Sequence, residues 1–387
     1  MSDMFRILRP FDVSDVALVS STVSATDALA VDGVYNPATT YALGDVIQVD
    51  SPTFAFTAAG SILTAAAHGW ANDTMLQVAS SGTLPPGLTA SVRYFVVQAD
   101  TDTLKLSRTK GGPPVITTGA GTGAHTATVS SHRLYESLVG SNTGNTPHKS
   151  PTQWLDVGAT NRWKPFDISV SSQVEQVDSI TYVLQTSGRT GGMALINVDA
   201  TEVVITGRES GGGAIVYGPS TYSLRSSIGI TSYWSWFFEP IEFKSNFVDI
   251  DFPPYGDLEL TITLNGGTGD TVRCGVLIVG LPKTLGTSMA GASTGITDYS
   301  VKSQDDFGNY VVTERAFRAR GNFQIVVDRT AGDGVQAELA RQRATPIVYV
   351  GSSEYSSTII YGFYRDFTVK IEQPTFSICE IEIEGLT

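Results

Sequence analysis

From Asp257 to Leu264 the chain reads DLELTITL, in which Leu258, Leu260, Ile262 and Leu264 alternate with Asp257, Glu259, Thr261 and Thr263. Side chains of a strand point alternately to its two faces, so this pattern specifies a strand with one buried and one wet face. The apolar face needs a second layer to cover it. That requirement favours antiparallel sheets packed as a sandwich or jelly roll. Other stretches agree. VRCGVLIVGLP (residues 272–282) is apolar on both faces, as a central strand would be. Near the end, Phe376 and Ile378 set one phase and Ile381 and Ile383 the other, which predicts a bulge around Cys379. One helix is expected, over residues 332–344, GDGVQAELARQRA, stopped before Pro346. Charged residues make up 16%, against a typical quarter, and the difference is taken up by Gly, Ser and Thr. The expected class is all-β.

A chain of 387 residues has room for two or three domains. Residues 51–130 differ in texture from their surroundings, with HGW, LPPGL and RYFVVQADTDTLKLS supplying short strands and tight turns. On both sides of this stretch the sequence continues as one interrupted module. Three parts are expected: residues 1–50 plus 131–164 as a small β-module with an N-terminal arm, 51–130 as an inserted β-domain, and 165–387 as a larger jelly-roll-like antiparallel sandwich. SYWSWFFEP (residues 232–240) reads as a strand, with Trp234 and Trp236 on one side and Tyr233 on the other. Sandwich core or subunit interface is the preferred use for these rings, and sugar stacking the alternative.

Catalysis needs convergent polar groups, and the sequence supplies few. His68, His125, His132 and His148 do not fall in metal-binding spacings, and Cys274 and Cys379 lie far apart in apolar runs. The two cysteines read as buried thiols, and no metal or cofactor is expected. A nucleophile elbow is missing, and the glycine-rich GAGTG and SGGGA precede strands, so they read as turns. Paired carboxylates are harder to dismiss. Asp305, Asp306 and Glu314 follow a loop, while Glu380, Glu382 and Glu384 alternate along the last strand as its solvent face. The expectation is a non-enzyme, with a polysaccharide depolymerase as the catalytic alternative. A net charge of −13 disfavours nucleic acid and anionic lipid as partners. The start, MSDMFRILRPFDV, lacks the apolar core of a leader, and no run approaches 18 apolar residues. Synthesis in the cytoplasm without membrane insertion is therefore expected.

Joining the interrupted pieces gives Tyr35, then Tyr41-x-x-Gly44-Asp45-x-Ile47, Leu134-Tyr135-Glu136, Asn145-Thr146-Pro147 and Trp154-Leu155-Asp156-Val157-Gly158. This pattern resembles the small chitin-binding-type carbohydrate-binding modules. The resemblance implies that Tyr41, Gly44, Tyr135, Pro147 and Trp154 form the structural frame, since so small a module gains most of its buried area from a few aromatic rings. The sequence departs from the family where an exposed tryptophan pair is replaced by Leu138-Val139-Gly140 and where the leading Trp is Tyr35. The sugar platform is thus depleted, and Tyr35, Trp70 and Trp163 are the remaining saccharide-binding candidates. The split module with its insertion resembles tail proteins of long-tailed bacteriophages over residues 30–167, and the remainder is generally similar to tail-tip sandwich domains. This resemblance implies a structural component of the tail tip or baseplate of a virion, a minor tail protein. Its implied partners are other phage tail proteins, further copies of itself (a trimer) and a host surface glycan. A receptor-binding protein for host saccharide is the alternative.

Overall fold

The structure, a computed structural model, describes residues 4–90, 92–226, 232–304, 307–343, 345–352, 355–370 and 375–386. The fold is all-β, with two short α-helices among the described residues. The chain forms two compact units, one of Ser14–Leu18 and Ser24–Trp163, the other of Met1–Val13, Val19–Val23 and Lys164–Thr387.

In the first unit, the strands Val46–Val49 and Trp154–Ala159 flank Arg133–Ser137 in a three-stranded sheet. Val49 faces Arg133 across the ladder although 83 positions separate them. The backbone N–H groups of Ser131 and His132 both donate to Asp50 O, which brings the ends of the insertion together. Between those ends, six strands within residues 53–129 close into a barrel. Its interior holds Phe56, Leu76, Val78, Tyr94, Val96, Leu104 and Leu106. Alternation along Met75–Ser80 and Thr103–Ser107 supplies Leu76, Val78, Leu104 and Leu106.

In the second unit a five-stranded sheet is built around Leu258–Asn265, with Ser179–Gln185 on one side and Glu202–Glu209 on the other. Leu258, Leu260, Ile262 and Leu264 are all buried, as the alternation requires. Tyr217 and Tyr222 on the outer strand Ile215–Ser223 donate their hydroxyls to Asp249 Oδ2 at 2.7 and 2.8 Å, tying this sheet to the strand Asn246–Asp249 of a ten-stranded sheet. The 18-residue strand Thr271–Ser288 is central to that larger sheet and serves two structures. Its first part pairs with Gly192–Asp199 and Val174–Val177. Its last part pairs with Met4–Pro10 and, at Thr287 and Ser288, with Phe317–Asp328. The order Thr271–Ser288, Met4–Pro10, Ile347–Val350, Ile359–Lys370, Phe376–Gly385, Phe317–Asp328 returns to its first strand, so this part of the sheet closes on itself.

The two helices differ in role. Helix α1 (Tyr233–Phe238) is short and exposed. Helix α2 (Gly332–Arg341) sends Val335 and Leu339 into a cluster with Phe5, Ile7, Phe323, Ile325, Tyr349, Cys379 and Ile381.

Three sequence expectations need correcting. The N-terminal arm does not belong to the small module: Met4–Pro10 is an inner strand of the large sheet, with Phe5 and Ile7 on one face and Leu8 on the other, all buried. Seven residues cannot reveal which sheet they join. No bulge interrupts the last strand at Cys379, because Ser377, Cys379, Ile381 and Ile383 share one buried face in unbroken register with Phe317–Asp328. A small polar Ser377 inside and a half-buried Ile378 outside disguised the phase. The irregularity lies in the neighbouring strand, between Tyr364 and Asp366. Finally, SYWSWFF is a helix and not a strand. Ser232 accepts from the Ser235 backbone N–H while Ser235 Oγ accepts from that of Ser232, a reciprocal cap that starts a helical turn despite the aromatic composition.

Candidate functional site

The small module is organised around Trp154, which is 2% exposed. Tyr41 meets it edge-on at 5.2 Å between ring centroids, and Tyr35 does so at 6.1 Å. The indole N–H donates to Asn145 O at 2.8 Å, so the one polar group of this large side chain is satisfied. Ile47, Val49 and Tyr135 complete the cluster. Burial raises the Tyr135 hydroxyl to about 12, with the nearby Asp156 carboxylate adding to the effect. Pro147 is buried in a short 3₁₀ turn. Gly44 has φ +87°, a left-handed turn that glycine adopts without strain, and its N–H donates to Ser137 O at 2.8 Å.

Each of the three saccharide candidates is half-buried and stacks on a ring of its own unit. Tyr35 lies on Tyr41 at 6.2 Å. Trp70, at the barrel, stacks on His148 of the module at 3.7 Å and 12°. Trp163 stacks on His132 at 3.9 Å and 4°. The structure therefore distributes them over three separate contacts and does not assemble one platform.

The two histidines differ electrostatically. His132 lies between Asp15, which it hydrogen-bonds, and Asp50, whose carboxylate is 3.6 Å from Nδ1. Burial opposes its charged form, but the bonds and charges of the two carboxylates outweigh that and raise its pKa above the ordinary value. Burial dominates at His148 and lowers it to about 4.

Asp305 and Asp306 lie outside the described residues, and Glu314 is exposed. On the last strand, Lys370 holds Glu380 at 2.6 Å, Arg365 holds Glu382 at 3.4 Å and Arg318 holds Glu384 at 3.1 Å. A cleft of about 680 Å³ beside the closed sheet is lined by Ser288, Met289, Phe323, Ser352, Tyr355, Thr358 and small residues, without an acid or a histidine among the described residues. Both cysteines are free and buried, and burial pushes the Cys274 thiol up to about 12. Among the described residues, no three His, Cys, Asp or Glu side chains are grouped to hold a metal ion, and no helix is long and apolar enough to cross a membrane.

The unusual surface lies in the second unit. Helix α1 exposes Tyr233, Trp234, Trp236, Phe237 and Phe238, and Ile241 and Phe243 extend the patch. A separate ribbon of Val301–Gln304 and Tyr310–Thr313 is exposed along both strands and displays Tyr310, Val311 and Val312. The aromatic composition at 232–240 was visible in the sequence, but only the helical conformation puts these rings on the outside. The ribbon went unread because it is short and its apolar residues carry no partner pattern.

No protein-family model, curated protein or solved structure matches this chain.

Proposed function

We propose that this chain is an assembly component of a bacteriophage tail tip or baseplate, a non-enzymatic part that contacts other tail proteins and aids host attachment. The observation that carries this reading is the pair of apolar projections on the second unit, helix α1 and the ribbon Val301–Gln304/Tyr310–Thr313. A two-stranded ribbon has no core of its own, and contiguous exposed aromatic surface marks a place where another macromolecule packs. The resemblance of residues 30–167 to tail proteins supplies the setting, and a symmetric array of copies would make individually weak contacts effective. On this reading the split module and its inserted barrel serve as positioning parts, with their aromatic rings committed to internal stacking.

Receptor binding to a host saccharide is the second reading. It would use Tyr35, Trp70 and Trp163, each half-buried. The two readings part in one experiment on purified virions. Antibody labelling at the distal end of the tail, with the chain present in fixed copy number by mass spectrometry, supports the assembly reading. Absence of the chain from purified virions refutes both readings. Labelling of free fibres, with detachment on addition of host-wall oligosaccharide, favours the saccharide binder.

A further inference from the structure

Helix α1 crowns an excursion of the chain that is pinned at its base. Ser226 N donates to Glu242 O, Lys244 N donates to Leu224 O, and Arg225 and Phe243 pair across the stem. The helix itself buries only Ser235 and leaves its rings on the surface. Trp234 and Phe238 pack against each other one turn apart, with ring centroids 4.1 Å apart and planes tilted by 33°, and the Arg225 guanidinium lies 4.5 Å over the Trp236 ring. Exposed, clustered aromatic rings with a neighbouring arginine have the composition of an interface anchor.

We infer that this face is where a second copy of the same chain docks, α1 against its symmetry mate. Two quantities support a copy of itself as the occupant. The first is area. Tyr233, Trp234, Trp236, Phe237 and Phe238 are 87, 70, 52, 72 and 67% exposed. Tyr233, Trp234, Phe237 and Phe238 share one side of the helix, and at about 200 Å² for a whole aromatic side chain these four present roughly 600 Å². One side of a standard stable interface buries about 800 Å², and Ile241 and Phe243 supply the difference. The patch is thus the right size to be one complete half of an interface.

The second quantity is charge. The chain carries −13 overall, so most approaches of one copy to another meet like charge. Along residues 225–244, the stretch that carries α1, the ionisable residues are Arg225 and Lys244 against Glu239 and Glu242, two of each sign. Copies can meet here without net repulsion, and each Arg225 can face a glutamate of its mate. An aromatic centre with a mixed-charge rim is also the composition of a stable protein interface. A bilayer is disfavoured as the occupant, because burying these rings among headgroups would carry Glu239 and Glu242 with them. The inference rests on this local geometry and holds wherever in a particle the chain resides.

The test is sedimentation velocity on the full chain from about 0.1 to 50 μM, the span over which interfaces of this size fall when moderately tight. The wild type is expected to associate. Trp234→Ala combined with Phe238→Ala is expected to weaken association at least ~100-fold, on hot-spot losses of roughly tenfold or more each. Both positions are largely exposed, so the variant should keep its circular dichroism and melting profile. A second variant, Phe237→Cys, adds one accessible thiol to a chain whose own cysteines are buried. Mild oxidation should cross-link it to its mate. A wild type that stays monomeric at 50 μM overturns the inference, as does association untouched by the double substitution. Flotation of monomeric protein with neutral phosphatidylcholine vesicles, lost in the double variant, would reassign the face to lipid.

Discussion

Glu338 offers a test of how the second unit is held together. The carboxylate is 1% exposed on helix α2, and it receives Arg9 from the strand Met4–Pro10, Lys283 Nζ at 2.7 Å from Thr271–Ser288, and Gln342 Nε2 at 3.2 Å. Its two cations are unlike it, with side chains 38 and 47% exposed. Charge-assisted bonds contribute about 1.5–3 kcal/mol each, but removing a carboxylate from water costs several kcal/mol, so the net worth of the cluster is small. Replacing Glu338 by Leu should therefore cost only about 1 kcal/mol, because the stranded cations can turn to water. Replacing both Arg9 and Lys283 by Met leaves a buried carboxylate with one amide partner, and this should cost about 3–5 kcal/mol. Calorimetric melts of the three proteins at neutral pH measure these losses. If Glu338→Leu is as damaging as the double substitution, burial of the charge is not what decides the balance and the argument fails.

Trp154→Ala should remove about 3–5 kcal/mol from the stability of the first unit, whereas Trp154→Phe, which keeps a ring against Tyr41 and loses the bond to Asn145, should cost about 1–2 kcal/mol, both read from calorimetric melts. The first unit should be most stable near pH 6.5. The raised pKa of His132 gives stability that is complete below 6.5 and is lost as pH rises through its folded value. The lowered pKa of His148 gives stability that is complete above 6.5 and is lost as pH falls toward about 4. Thermal midpoints across this range should show His132→Gln flattening the alkaline limb and His148→Gln the acid limb, and unchanged limbs would contradict the assignment.

What the sequence disclosed and what it concealed follow physical lines. Strict alternation at Leu258–Leu264 sufficed to define a buried sheet face, because period two is imposed by the backbone of one strand. The return of Phe317–Asp328 to Thr287 and Ser288 could not be read, since closure depends on register between strands far apart in the chain. In the module, Tyr41, Tyr135 and Trp154 were expected inside from the resemblance to small carbohydrate-binding modules, and all three are buried. The partners of Trp70 and Trp163 were not legible, because a flat stack on His148 or His132 joins residues 78 and 31 positions apart without a local pattern. At α1 a pair of serines three positions apart decided the conformation, and hydrophobicity alone pointed to the wrong element.

A cryo-electron microscopy map of the assembled tail, resolving side chains around this chain, tests the central claim most directly. The account predicts Trp234 and Phe238 buried against another protein surface at the tail tip, with Tyr310 and Val312 of the ribbon likewise covered. A map in which the chain is present and both projections face solvent, while Tyr35, Trp70 or Trp163 carries density for bound sugar, would contradict it.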